Sequence, residues 1–231
     1  MKRTFPIDLY EGHLIFELDG KRFLVDTGST YTISRERILY FLGNEYICKK
    51  IPGLDIDSLS GKMHGMTFDV LLGVDSLADF TIMIDYKNLE ITFSDEELEL
   101  SQDYTIVPLR RGWAMGEYGM QVQVRGRTLN FALASGSMIS YVDKDITEDL
   151  TPTGEIDDFY VAIGQFSTKT YKLDVTVKGL TFPAVFGNHS TDMQSSFRTA
   201  GIDGAIGYDL FVANTVVLQL KSSLLYLKPV Q

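Results

Sequence analysis

Phe23-Leu24-Val25-Asp26-Thr27-Gly28-Ser29 and Phe131-Ala132-Leu133-Ala134-Ser135-Gly136-Ser137 read as two copies of one loop. In each, an apolar run ends in a tight polar turn built on a Gly. Asp26 of the first copy aligns with Ala134 of the second, so only one copy carries a carboxylate.

Outward from these loops the two halves keep matching. Residues 13–25 alternate apolar and polar around Asp19-Gly20, a pair suited to a tight hairpin turn, and residues 120–133 do so around Gly126. Leu71-Leu72-Gly73-Val74-Asp75 matches Ala205-Ile206-Gly207-Tyr208-Asp209 at a spacing of 134, and Thr81 and Lys87 match Thr215 and Lys221 without a gap. Asp26 and Ala134 stand 108 apart, so the second half carries about 26 extra residues in its middle. Short strand-like runs dominate, and helix-like stretches are confined to residues 35–42, the segment after Gly73 and the segment after Gly207. The expected fold is all-β: two similar small lobes facing across a cleft, residues 1–105 and 106–231. The longer second middle predicts a projecting hairpin over residues 159–178, turning near Gly164 and Ser167, as a cover for that cleft.

Composition narrows the class. With 45% apolar and 23% charged residues, the 231-residue chain is of ordinary globular type. The formal charge of −10 is concentrated in residues 1–105, which hold 19 acidic and 10 basic side chains. No basic face for nucleic acid is expected, and no apolar run of ~20 residues for a membrane. The acidic stretch 94–103 reads as a solvated connector. Cys48 is the sole cysteine, so no internal disulfide can form, and nothing at the N-terminus reads as a secretory signal; both suit a cytoplasmic location.

Val25-Asp26-Thr27-Gly28-Ser29, followed by Leu71-Leu72-Gly73 and the hairpin over 82–93, resembles the aspartic peptidase superfamily. The two-lobed order is similar to pepsin-like enzymes, and the compact lobes resemble retropepsin-like single-lobe proteins. The resemblance implies an endopeptidase that needs no cofactor and no metal. Its chemistry rests on two carboxylates about 3 Å apart, which cannot both ionise; one stays protonated as acid while the other activates water as base. By that resemblance Asp26 is one catalytic aspartate and Ala134 occupies its partner's position. Thr27, Gly28, Ser29, Ser135, Gly136 and Ser137 would flank an extended peptide or protein substrate, with the Thr and Ser hydroxyls bonding across the loops. The apolar-apolar-Gly segments would support the loops from behind.

Three accounts of Ala134 stay open: a replaced aspartate in an otherwise intact loop, a natural pseudo-protease that binds peptide without cutting, or pairing of two first lobes in a homodimer. A monomer is the simpler expectation, because the tethered second lobe outcompetes a second chain. A lone, water-exposed Asp26 should ionise near ~3.9, with no matched acid. Rival chemistries are weaker. His13, His64 and His189 lack metal-ligand spacing, and Ser135-Gly136-Ser137 lacks a nucleophile-elbow pattern and a base. No nucleotide-binding Gly-rich motif is present. Asp75 and Asp209, each two residues after the Gly, read as helix caps. Trp113, Met115, Tyr118 and Met120 read as core at the lobe interface, with a peptide groove as the alternative.

Overall fold

The computed structural model describes residues 1–51, 55–63, 66–111, 116–160 and 164–230. The first half runs through β1 (Lys2–Pro6), β2 (Asp8–Tyr10), β3 (His13–Leu18), β4 (Lys21–Val25), β5 (Ile33–Ser34), β6 (Ile38–Phe41), β7 (Asn44–Ile47), α1 (Ile56–Lys62), β8 (Val70–Leu72), α2 (Val74–Leu77), β9 (Thr81–Asp85) and β10 (Glu90–Ser94). The second runs through β11 (Thr105–Pro108), β12 (Arg110–Arg111), β13 (Tyr118–Val124), β14 (Arg127–Leu133), β15 (Ser140–Val142), β16 (Gly154–Tyr160), β17 (Gly164–Val177), β18 (Leu180–Asn188), α3 (Thr191–Thr199), β19 (Gly204–Ile206), α4 (Tyr208–Ala213), β20 (Asn214–Gln219) and β21 (Leu224–Pro229). Strand dominates, as the alternating patterns predict.

Each half builds the same small unit. β4 pairs in parallel with β8, with Phe23 opposite Val70, and β8 pairs antiparallel with β5, with Ile33 opposite Leu71. In the second half β14 pairs in parallel with β19, with Phe131 opposite Gly204, and β19 pairs antiparallel with β15, with Tyr141 opposite Ala205. Those partners are the first-half pairs shifted by 108 and 134, the spacings read from the sequence. The feeding hairpins turn at Asp19-Gly20 and Arg125-Gly126, where all four residues take positive φ, as a tight turn matching strand twist requires.

A six-stranded sheet, in the order β1-β10-β9-β20-β21-β11, joins the halves. Its central pair is antiparallel and sets Met83 opposite Val217, its own counterpart at a spacing of 134. A local two-fold axis therefore passes through that pair. The core behind the first half is aromatic: Phe16 lies 5.1 Å from both Phe5 and Phe23, and Phe41 lies 5.3 Å from Phe93. Such pairs each contribute about 0.5–1.5 kcal/mol beyond area burial.

Residues 35–42 differ from the helical expectation. They enter the β6–β7 hairpin, in which Leu39 and Phe41 are buried while Ile38 and Tyr40 face solvent. That is a period of two, and Leu42-Gly43, both at positive φ, makes the turn. Helices do follow Gly73 and Gly207 as expected. Two more, α1 and α3, were not anticipated; Asp55 caps α1 by accepting from the Ser58 N–H at 2.8 Å. Tyr118 and Met120 lie in the core, with the Tyr118 hydroxyl bonded to the Leu220 carbonyl. Trp113 and Met115 lie outside the described residues. No described helix is long and apolar enough to cross a membrane.

Candidate active site

The two repeated loops meet at the local two-fold. Thr27 N–H donates to Ser135 Oγ at 3.0 Å, and Ser135 N–H donates to Thr27 Oγ1 at 3.0 Å. Each hydroxyl in turn donates to the strand entering the opposite loop: Thr27 Oγ1 to the Leu133 carbonyl at 2.9 Å, and Ser135 Oγ to the Val25 carbonyl at 3.0 Å. Both residues are fully buried. Four bonds thus lock the loops together with every polar group partnered, the condition under which a buried polar network rigidifies. Ser29 does not join it; its hydroxyl bonds locally to the Tyr31 carbonyl.

The apolar-apolar-Gly segments support the loops as the repeat predicts. Asp26 N–H bonds to the Leu72 carbonyl and Ala134 N–H to the Ile206 carbonyl, both at 3.0 Å. Gly73 N–H donates to Thr32 Oγ1 and Gly207 N–H to Ser140 Oγ, both at 3.1 Å. A Cβ on Gly73 would lie 2.4 Å from the Tyr31 carbonyl carbon, and one on Gly207 would lie 2.4 Å from the Ile139 carbonyl oxygen. Only glycine fits either position. Thr32 and Ser140 were missed by motif reading, yet each lies six residues past Asp26 or Ala134, so the repeat itself carried the signal.

Asp75 and Asp209 are not helix caps. Asp75 Oδ1 accepts from Thr32 N–H at 2.8 Å and from Thr32 Oγ1 at 2.6 Å. Asp209 Oδ2 accepts from Val185 N–H at 2.9 Å. The helices instead start at Gly73 and Gly207, without a side-chain cap bond. The carboxylates are spent on tying down neighbouring segments, a tertiary demand that a local capping rule does not contain.

Asp26 keeps part of its surface open, but its carboxyl is enclosed by the loops. Gly28 N–H donates to Oδ1 at 2.8 Å. A Cβ on Gly136 would sit 2.5 Å from Asp26 Cγ, so the bare backbone of the second loop is what makes room for the carboxyl. Burial raises the Asp26 pKa above its usual value, and it outweighs the backbone N–H groups of Gly28, Gly136 and Ser29, which pull it down. The expectation of an unperturbed aspartate rested on full exposure to water and does not hold.

Ala134 lies in the mirror position. A Cβ on Gly28 would stand 3.4 Å from the Ala134 methyl and 3.1 Å from Asp26 Oδ1. The methyl and that oxygen therefore lie within about 6.5 Å of each other. Ala134 is buried in an apolar cluster with Ala132, Ile139, Tyr141, Ile202 and Ala205.

The projecting hairpin differs in extent from the expected 159–178. It is β16–β17, with Tyr160 opposite Gly164, and it starts at Gly154. Residues near 178 form a second tight turn, Lys178-Gly179, leading into β18. The shift arises because one long strand, β17, serves both hairpins. Among the described residues no group of three or more His, Cys, Asp or Glu is arranged to hold a metal; His64 lies outside the described residues.

The whole chain is similar in fold to an aspartic proteinase from Irpex lacteus, with a TM-score of 0.55 over 100% of this chain and 98% of that one, at 12% identity. Basic 7S globulin from soybean matches with a TM-score of 0.54 over 98% of this chain and 94% of its own, at 11% identity. Likeness at these identities is one of fold, and the fold is that of the two-lobe aspartic proteases. No protein-family model matches the sequence, and the search of curated proteins found no match.

Proposed function

We propose that this chain is an aspartic-type endopeptidase framework. Asp26 and a carboxylate at position 134 would hydrolyse peptide bonds through an activated water, and with Ala134 in that place the chain is close to inactive. The observation that carries this reading is the reciprocal lattice of Thr27 and Ser135, which holds two catalytic-type loops in register although one lacks its acid. The role assigned to Asp26 is that of base or acid, shared with the residue at 134. Its raised pKa favours retention of a proton, which one member of such a dyad must do. Thr27, Gly28, Ser29, Ser135, Gly136 and Ser137 are assigned to framing an extended peptide.

One observation favours the alternative of a peptide-binding pseudo-protease: the Ala134 methyl belongs to an apolar cluster as an ordinary core side chain. Pairing of two first lobes has less support, because the partner groups of Thr27 are already supplied by Ser135 and Leu133 of the same chain.

The substitution Ala134→Asp separates the readings. Assayed on a denatured protein between about pH 4 and 7, the variant should exceed the chain as it stands by on the order of 10³-fold or more, since paired catalytic groups act as a unit. Silence from a folded Ala134→Asp variant would favour the binding module.

A further inference from the structure

The middle of the second half, longer than its counterpart by about 26 residues, encloses a cavity of about 460 Å³. Three segments wall it: Lys144, Thr147 and Glu148 after β15, residues 166–171 of β17, and residues 188–190 at the end of β18. No lining residue comes from the first half or from the loop carrying Ala134, so this is not the cleft between the lobes. Its volume suits a small molecule.

The frame is fixed by its own hydrogen bonds. Asn188 Nδ2 donates to Thr147 Oγ1 at 2.9 Å and Asn188 N–H donates to Thr168 Oγ1 at 2.9 Å, which ties the three segments together. Other polar groups of the wall are left over. Lys144 and Lys169 are exposed, and neither is ion-paired among the described residues. Tyr171 is buried, and its hydroxyl has no hydrogen-bond partner among the described residues. His189 is the most buried polar side chain of the wall, 1% exposed, and both of its ring nitrogens lack a partner. Buried polar atoms are bonded as a rule, so an orphan beside a cavity marks a place for a ligand atom. Burial lowers the His189 pKa to about 4, so at neutral pH the ring is uncharged and keeps one N–H to give.

Two ammonium groups, a phenol and an imidazole N–H make a donor-rich set. Glu148 is the one carboxylate of the wall, and it is exposed to water. A ligand carboxylate brings one charge and two oxygens. A phosphoryl group brings nearly two charges and three strong acceptor oxygens, and so matches both lysines at once. We propose that this cavity binds a small phosphorylated molecule, with Lys144 and Lys169 holding the phosphoryl oxygens and Tyr171 and His189 supplying uncharged donors. The site stands apart from the peptide-cleft reading, since it uses none of that cleft's residues.

Inorganic phosphate is the probe, with acetate as the comparison, added to the full chain at constant ionic strength and about pH 7.5, where phosphate is largely dianionic. Amide and imidazole resonances are followed by proton–nitrogen correlation NMR. Phosphate should saturate with shifts confined to the three wall segments, and the His189 ring nitrogens should move with them. Lys144→Gln and Lys169→Gln should each weaken binding about threefold and the double variant about tenfold, the scale of partly exposed charge pairs. Glu148→Gln removes the opposing charge and should tighten binding by about twofold. Lys172→Gln, at an exposed position of β17 outside the cavity, should leave it unchanged. Unmoved amides elsewhere in each variant certify the fold. Shifts that grow without saturating, or a loss in Lys172→Gln equal to that of the wall lysines, would mean general charge screening and overturn the site. Saturation by acetate and not by phosphate would replace the phosphoryl class and overturn the proposal as stated. Saturable binding that leaves His189 unmoved would put the anion elsewhere and overturn it as well.

Discussion

Asp26 is held by three backbone N–H donors and still titrates high, because enclosure outweighs them. The consequence for stability has a definite sign. A raised folded-state pKa means the native chain binds this proton more tightly than the unfolded chain, so stability falls as pH rises from the unfolded value of 3.8 through the folded one. Asp26→Asn should therefore be more stable than the parent at pH 7, with the difference vanishing below about pH 3.8. Urea titrations across pH read it directly, and a parent more stable than the Asn variant at neutral pH would refute the enclosure argument. His189 runs the opposite way. Its imidazole is buried between Tyr141 and Phe197, and desolvation lowers its pKa to about 4 against a weaker opposing pull from Asp143. The unfolded chain takes up this proton first, near 6.5, so stability declines as pH falls from 6.5 to about 4 and levels off below. The loss across that window is about 3 kcal/mol. His189→Phe keeps the ring contacts and should remove that decline; an unchanged slope in denaturation midpoints between pH 6.5 and 4 would contradict it. Thr27 is decided by counting partners. Thr27→Val leaves the Leu133 carbonyl and Ser135 N–H unsatisfied in the interior, at a cost of about 2–5 kcal/mol by urea unfolding.

At the scale of elements, what was legible in the sequence was whatever a repeat or a turn residue enforces. The paired Gly73 and Gly207 stood out because no side chain fits there, and the Asp19-Gly20 hairpin because its turn needs positive φ. The β6–β7 hairpin was misread because Leu42-Gly43 was passed over as the turn it makes. α1 is short, and its capping Asp55 signals only weakly beside Gly-rich neighbours. The start of the β16–β17 hairpin at Gly154 was not legible, because one long strand, β17, pairs with β16 at one end and β18 at the other. One substitution type with opposite outcomes tests this account of the glycines. Gly73→Ala drives a Cβ to 2.4 Å from backbone that cannot yield, and should cost about 3 kcal/mol or more. Gly61→Ala, inside α1 with nothing within 4 Å of the new carbon, should stabilise by about 0.5–1 kcal/mol through reduced chain entropy. Thermal midpoints that move the same way in both would mean that local space is not what fixes these positions.

The molecule as a whole is tied at two levels along one axis. Above, the Thr27–Ser135 lattice joins the loops; below, β9 and β20 pair about Met83 and Val217 in a sheet drawn from both halves. Between them one continuous hydrophobic cluster runs from Phe5 and Phe93 to Val216 and Leu225. Neither half buries its share alone, because Ile82 and Ile84 of one face Leu218 and Val216 of the other. The stretch between β10 and β11 contributes no strand to this assembly, and its ends are moored by ion pairs, Asp95 to the terminal amine of Met1 and Asp103 to Lys228. Exposed pairs of that kind add about 0–1 kcal/mol each, so the connector matters mainly by keeping the halves at high effective concentration. A cleavage site inserted between Glu97 and Ser101 should then give a nicked protein whose halves co-elute at micromolar concentration. It should unfold in urea as a single transition with the same midpoint in near- and far-ultraviolet dichroism, now shifted by dilution. Separation of the halves on the column, or two resolved transitions, would mean that the shared sheet and core are too weak to make the repeat one cooperative body.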